Sequence, residues 1–132
     1  MSEVITDKLT GRATAGNVTI TSEGGAATMQ LQQGVAKAWS NIDGTGTVSA
    51  RDSLNTSSIT DNATGDYSTN FTNSLDNVNG VASSFCGTGT ATNQVNSQSF
   101  QGLSTSALRT LTYTTTPFDR DYILHLVFGD LA

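Results

Sequence analysis

Residues 121–128 read Asp-Tyr-Ile-Leu-His-Leu-Val-Phe. Successive side chains of a strand point to opposite faces, so Tyr122, Leu124, Leu126 and Phe128 share one face and Ile123, His125 and Val127 the other. Apart from His125 both faces are apolar, and an apolar sheet face has to be covered. The stretch therefore predicts a β-strand enclosed on both sides. A second sheet of the same chain is expected against Tyr122, Leu124, Leu126 and Phe128. Another copy of the chain is expected against Ile123, His125 and Val127, because few apolar residues elsewhere are free to do it.

The same alternation runs back through the chain. Tyr67, Thr69 and Phe71 alternate with Ser68, Asn70 and Thr72, which directs Tyr67 and Phe71 to the core. Val81, Ser83 and Phe85 are expected inward in the next strand. Further strands are expected over 47–51, 57–60, 91–100 and 106–115, the last closed by Pro117. Turns at 61–66, 76–80 and 87–91 are marked by clustered Asp, Asn and Gly. This spacing predicts an all-β fold, an antiparallel β-sandwich of about seven or eight short strands over residues 40–132.

Residues 1–39 read differently. Met29, Leu31, Val35, Ala38 and Trp39 form a partial apolar stripe at helical spacing, interrupted by Gly34. They predict a short helical neck over 28–39, too short to stand alone, so Met29, Leu31 and Val35 are expected in contact with other copies. Trp39 is expected to plug the junction with the sandwich. Residues 1–27 hold only Val4, Ile5, Leu9, Val18 and Ile20 among Gly, Thr and Ala. A segment this poor in core residues orders only against a partner, and it is expected to be an extended attachment arm through those five side chains.

Composition removes several functions. The 132 residues include 22 Thr, 15 Ser, 10 Asn and 13 Gly, nearly half the chain, with 13% charged residues and a net charge of -5. Six scattered basic residues against eleven acids argue against nucleic-acid binding. The single Cys86 excludes an intrachain disulfide and any multi-cysteine metal site, and it reads as a small buried hydrophobe. No apolar run is long enough for membrane insertion, and Glu3, Asp7 and Lys8 in the first eleven residues do not read as a secretory leader. Sequons at Asn17, Asn55, Asn62 and Asn70 are expected by chance in so Ser/Thr-rich a chain. His125 has no serine in a recognisable nucleophile motif, which leaves it as a hydrogen-bonded interface histidine. Asp61, Asn62 and Asp66 lack the further acid of a calcium loop and read as turn residues. Neither an enzyme nor a cofactor is expected.

Three stretches carry a resemblance: DKLTGRATAGNVTITSEGG at 7–25, the stretch 29–72, most specifically Ala38-Trp39 with NIDGTGTV, SITDN and GDYSTNF, and DYILHLVFGDL at 121–131. They resemble small virion structural proteins of marine phages, cyanophages in particular, of a tail-fibre-like kind. The resemblance covers about residues 7–131 and implies an N-terminal anchoring segment, a brief helical neck and a β-rich distal domain, commonly trimeric. It supplies no catalytic residues. The expected function is that of a phage virion structural protein, fibre- or knob-like. It would dock on capsid or tail proteins through its arm and display the sandwich on the particle surface for adhesion or decoration. The receptor-facing residues would be Asp61, Asn62, Asp66, Asp76, Asn77 and Asn79, with a host cell-surface glycan as a partner. The alternative is a non-catalytic carbohydrate-binding β-sandwich module.

Overall fold

The computed structural model describes residues 5–12, 18–22, 24–87, 98–113 and 115–132, of which 98–101 by their backbone alone. Val4 and the 88–91 portion of the expected third turn lie outside the described residues. The chain divides into two compact units, Met1–Val35 and Ala36–Ala132.

In the first unit, β1 (Thr19–Thr21) pairs antiparallel with β2 (Thr28–Gln30), with Ile20 opposite Met29. Gly25, at φ 70, donates to Ser22 O within the connection. The expected neck helix over 28–39 is reduced to one turn, α1 (Leu31–Gly34). Its start, Gln30, supplies no side-chain cap, and no acidic first turn or basic last turn supports it. Beyond it Ala38 and Trp39 are taken into a sheet, where full backbone pairing outweighs a marginal helix. The boundary between the units accordingly falls at 35/36, inside the expected neck.

The second unit is an antiparallel sandwich of two four-stranded sheets. The first has the order β4 (Ser49–Leu54), β3 (Ala38–Asp43), β10 (Tyr122–Phe128), β7 (Val81–Gly87). The second has the order β5 (Thr56–Ala63), β6 (Asp66–Phe71), β9 (Ala107–Thr112), β8 (Gln98–Leu103). The chain changes sheet between β4 and β5 at Asn55, at φ 56. Its amide clamps Asn73: Oδ1 accepts from the Asn73 N–H at 2.7 Å and Nδ2 donates to Asn73 O at 3.0 Å. The β5–β6 hairpin turns at Thr64-Gly65, and Gly65 (φ 69) leaves no room for a Cβ, which would lie 2.6 Å from Thr112 O.

The core has apolar ends and a polar waist. One cluster joins Ala38, Phe71, Leu75, Leu108 and Val127. The other joins Ile42, Tyr67, Cys86 and Ile123. Between them lie the buried Ser40, Thr69, Thr110 and His125. Tyr67 and Phe71 point inward as their alternation requires. The two faces of β10 are exchanged relative to expectation: Ile123, His125 and Val127 are 0%, 4% and 1% exposed inside the sandwich, so they form the core and no inter-copy contact. Tyr122, Leu124, Leu126 and Phe128 turn outward and are half-buried. The compact Ile and Val fit a gap of about 10 Å opposite Tyr67, Phe71 and Leu108 better than a row of larger side chains. Register carries the exchange into β7, where Phe85 pairs with Leu124, Ser83 with Leu126 and Val81 with Phe128. Val81 and Phe85 thus face outward, at 68% and 58% exposed, and Ala82 and Cys86 face inward.

Candidate functional site

The polar waist is the most unusual part of the interior. Nδ1 of His125 lies 2.8 Å from Thr69 Oγ1 and 3.3 Å from Ser40 Oγ, and the two hydroxyls are 3.4 Å apart. Nε2 is buried and meets no hydrogen-bond partner among the described residues. Burial pushes the His125 pKa down to about 4, which keeps the ring neutral at pH 7. Ser40 and His125 have the chemical parts of a nucleophile and a base, yet they are 2% and 4% exposed between two sheets. No substrate carbonyl can reach them without opening the sandwich.

A second constellation, part-buried, sits where Asp119 meets the β5–β6 turn. Tyr67 donates its hydroxyl to Asp119 Oδ1 at 2.6 Å and lies 3.1 Å from Gly44 O, and Asp119 Oδ1 also accepts from the Gly65 N–H at 2.8 Å. Burial first, and then the hydrogen bond to Asp119, hold the phenol well above its ordinary pKa. This is a clamp that closes one end of the sandwich.

The expected receptor-facing loops divide. The turn at 61–66 is shorter than expected: Asp61 and Asn62 belong to β5, which runs to Ala63, and Asp66 opens β6. Only Thr64 and Gly65 make the turn. Asp66 is committed to Arg109 through a two-pronged ion pair, with Nε donating to Oδ1 at 2.9 Å, and it also accepts from Asn62 Nδ2 at 3.2 Å. The Arg109 hydrogen bond holds the Asp66 carboxyl below the usual carboxylate range against the opposing effect of burial. Asp61 remains exposed. In the 76–80 segment Asp76 and Asn79 are exposed and Asn77 is half-buried, with Asn79 N–H donating to Asn77 Oδ1 at 2.8 Å. Among the described residues no three His, Cys, Asp or Glu come together to hold a metal ion.

The outer faces of the two sheets differ sharply. On β5 and β6, Asn70 Nδ2 donates to Ser58 Oγ at 3.0 Å and Thr60 Oγ1 at 2.9 Å, and Asn62 Nδ2 to Ser68 Oγ at 2.9 Å. That face is a fixed grid of hydroxyls and amides. An open groove of about 300 Å³ between β4 and β5 is likewise lined by small side chains such as Ser53, Ser57 and Ser58.

The outer face of the first sheet carries an apolar patch that gives way to Asn41, Asp52 and Arg51, whose guanidinium stacks 4.3 Å over the Tyr122 ring. Its rows follow the register: Val81 beside Phe128; then Ser83, Leu126, Trp39 and Leu54; then Phe85, Leu124, Asn41 and Asp52. Trp39 therefore stands half-buried on this outer face and not in the interior of the sandwich. Val81, Phe85 and Leu54 are 68%, 58% and 46% exposed, more apolar surface than solvation alone accounts for. The matching alternation of Val81/Ser83/Phe85 and Leu124/Leu126/Phe128 is the signal in the sequence for this face, which points outward and not into the core.

The first unit has exposed apolar side chains of its own. Ile5, Leu9, Ile20, Met29 and Val35 are 44–86% exposed. Leu31 and Val18 are half-buried. No family model matches the chain, and neither a curated protein nor a solved structure does.

Proposed function

We propose that the chain is a non-catalytic structural protein of a phage particle. Residues 1–35 anchor it to a capsid or tail protein, and the sandwich of residues 36–132 is displayed at the virion surface for adhesion or decoration. The observation that carries this reading is the contrast between the units. No described residue of the first unit is buried, and its apolar side chains stay open to solvent, whereas the second has two complete apolar clusters. A two-stranded hairpin without a core is marginal in water and gains order from a partner surface. The resemblance of 7–25 and 38–71 to small marine-phage virion proteins points the same way.

The test is incorporation into particles. Ile20→Asp with Met29→Asp places charge on the cross-strand pair of the hairpin and leaves the sequence of residues 36–132 unchanged. The variant is expected to keep the far-UV spectrum of the β-fold and to be missing from purified virions. Normal incorporation would remove the anchoring claim.

A second reading, a carbohydrate-binding module, is supported by the grid on β5 and β6, where Asn70 and Asn62 hold Ser58, Thr60 and Ser68 in fixed positions. Binding of the intact protein to a glycan array, lost on Asn70→Ala, would favour it; absence of binding to any glycan counts against it.

A further inference from the structure

The 76–80 segment holds two asparagines in opposite states. The Asn77 amide is used at both ends: Nδ2 donates to Asp76 Oδ2 at 3.0 Å, and Oδ1 accepts from the Asn79 N–H at 2.8 Å. The Asn79 side chain is exposed and makes no hydrogen bond among the described residues. Gly80 follows it, and no other asparagine of the chain precedes a glycine. We propose that Asn79 is a site of self-modification, where the Gly80 nitrogen displaces the side-chain amide and leaves aspartate and isoaspartate in its place. The site is present whether or not the chain is displayed on a particle, so it stands apart from the anchoring of residues 1–35.

Packing fixes the glycine. A Cβ at position 80 would collide with Phe128 O, so no side chain fits there. The Gly80 nitrogen is therefore unhindered, and among the described residues its N–H meets no acceptor. Nitrogen and Cγ belong to adjacent residues, so the attack is intramolecular and closes a five-membered ring. Base removes the Gly80 amide proton. The nitrogen then bonds to Asn79 Cγ as the Cγ–Nδ2 bond breaks, and Nδ2 leaves as ammonia with a proton from water. Water opens the resulting succinimide. Opening between nitrogen and Cγ gives aspartate; opening between nitrogen and the main-chain carbonyl carbon gives isoaspartate. One water enters and one ammonia leaves, with nothing oxidised or reduced.

Other asparagines are held. Asn62 precedes the small Ala63, but its Nδ2 donates to Ser68 Oγ at 2.9 Å and to Asp66 Oδ1 at 3.2 Å. Asn73 precedes Ser74, but its Nδ2 donates to Asn55 Oδ1 at 3.1 Å. Asn77 precedes the β-branched Val78, whose side chain crowds the attacking nitrogen. The product changes the segment. Either acid adds a negative charge to a stretch that already holds Asp76. Isoaspartate also adds a methylene to the main chain between Leu75, whose N–H donates to Thr105 O, and β7. That redirects the polar residues between them.

Incubation of the full chain in mildly alkaline buffer, followed by isoelectric focusing and peptide mapping by mass spectrometry, tests the proposal. An acidic species is expected to accumulate, and to do so more slowly in mildly acidic buffer, because base must take the Gly80 proton. Mapping is expected to place the change at Asn79, part of it as isoaspartate, while Asn62 and Asn73 keep their amides. Asn79→Gln is expected to abolish the species, because the longer side chain closes a six-membered ring far more slowly. The position is exposed, so the far-UV spectrum is expected to hold. A free peptide of residues 76–82 sets the clock. A folded chain still intact at Asn79 after most of the peptide has converted overturns the proposal. Conversion at other asparagines in its place, or an equal acidic species in Asn79→Gln, overturns it as well.

Discussion

Thr69 Oγ1 lies 2.8 Å from Nδ1 of His125, and the two residues join the opposing sheets of the sandwich through a polar contact in the middle of an otherwise apolar interior. The groups around the ring are hydroxyls: Ser40 on β3 and Thr69 on β6 touch it, and Ser84, its register neighbour on β7, reaches Thr110 on β9 at 3.4 Å. No carboxylate among them favours the imidazolium.

That environment sets a pH dependence. The folded-state pKa of His125, about 4, lies below its ordinary value of 6.5. Between those values the unfolded chain binds a proton that the folded one refuses, so stability falls as pH drops from about 6.5 to about 4 and is unaffected above. The loss amounts to roughly 2–4 kcal/mol across the window. Urea denaturation of wild type at pH 7.5 and 4.5 is expected to show it, and His125→Gln is expected to flatten the difference. Asp43 and Asp66 are held below their ordinary pKa by the Thr45 and Arg109 hydrogen bonds respectively, so their contributions are lost only at lower pH, as each carboxyl takes up its proton. An equal pH dependence in His125→Gln would show that the ring is not responsible.

Tyr67→Phe is expected to cost about 1–2 kcal/mol. The phenol is fully buried and satisfies Asp119, while Phe keeps the ring and loses only the hydroxyl. A drop in melting temperature of several degrees is the readout, with the far-UV spectrum unchanged. An unaltered melting temperature would show that the clamp contributes nothing.

Asp66 and Asp61 are expected to separate, although both belong to the same acidic stretch. Asp66→Asn breaks the pair with Arg109, whose side chain is 52% exposed, and solvent screening holds the cost to about 1 kcal/mol. Asp61→Ala, at an exposed position, is expected to stay within about 0.5 kcal/mol. Thermal melts of the two single variants distinguish them. An adsorption assay on this loop therefore reads cleanly only with Asp61, because loss of Asp66 also loosens the hairpin.

Sequence periodicity recovered the sandwich because period-two alternation survives in strands as polar as β6, where Tyr67 and Phe71 are separated by Thr69. It could not say which face of β10 lies inside. Both faces are apolar, and the choice depends on partners elsewhere in the chain: Ser40, 85 residues from His125, Thr69, 56 residues from it, and Leu108 on the neighbouring sheet. The wrong choice at β10 then carried through the register to Val81 and Phe85. The neck helix is absent for a related reason, since Ala38 and Trp39 answer to Val127 and Leu126 across the sheet and not to Leu31, seven and eight residues earlier. Arg109 and Asp66 meet through β6–β9 pairing, which no local pattern in the chain announces.

Leu75 stands outside every strand, at the foot of the 76–80 segment, and is nevertheless 1% exposed. It bridges Leu131, and its N–H donates to Thr105 O at 2.7 Å; the neighbouring Asp76 N–H donates to Asp130 O at 2.9 Å. The segment is thus fixed at its base by the C-terminal residues and packed into the cluster of Phe71, Leu108 and Val127. Leu75→Ala removes a buried side chain from that cluster and is expected to cost about 2–4 kcal/mol. Val78→Ala, three residues on and 55% exposed, is expected to cost less than about 0.5 kcal/mol. Urea midpoints of the two variants, measured at a pH above 7 where His125 contributes no proton dependence, give the comparison. Equal midpoints would mean that Leu75 is no anchor and that Asp76, Asn77 and Asn79 are not held on a fixed base. Unequal midpoints in the stated order leave those three polar residues on a rigid support, the condition under which a loop can present a constant surface to a binding partner.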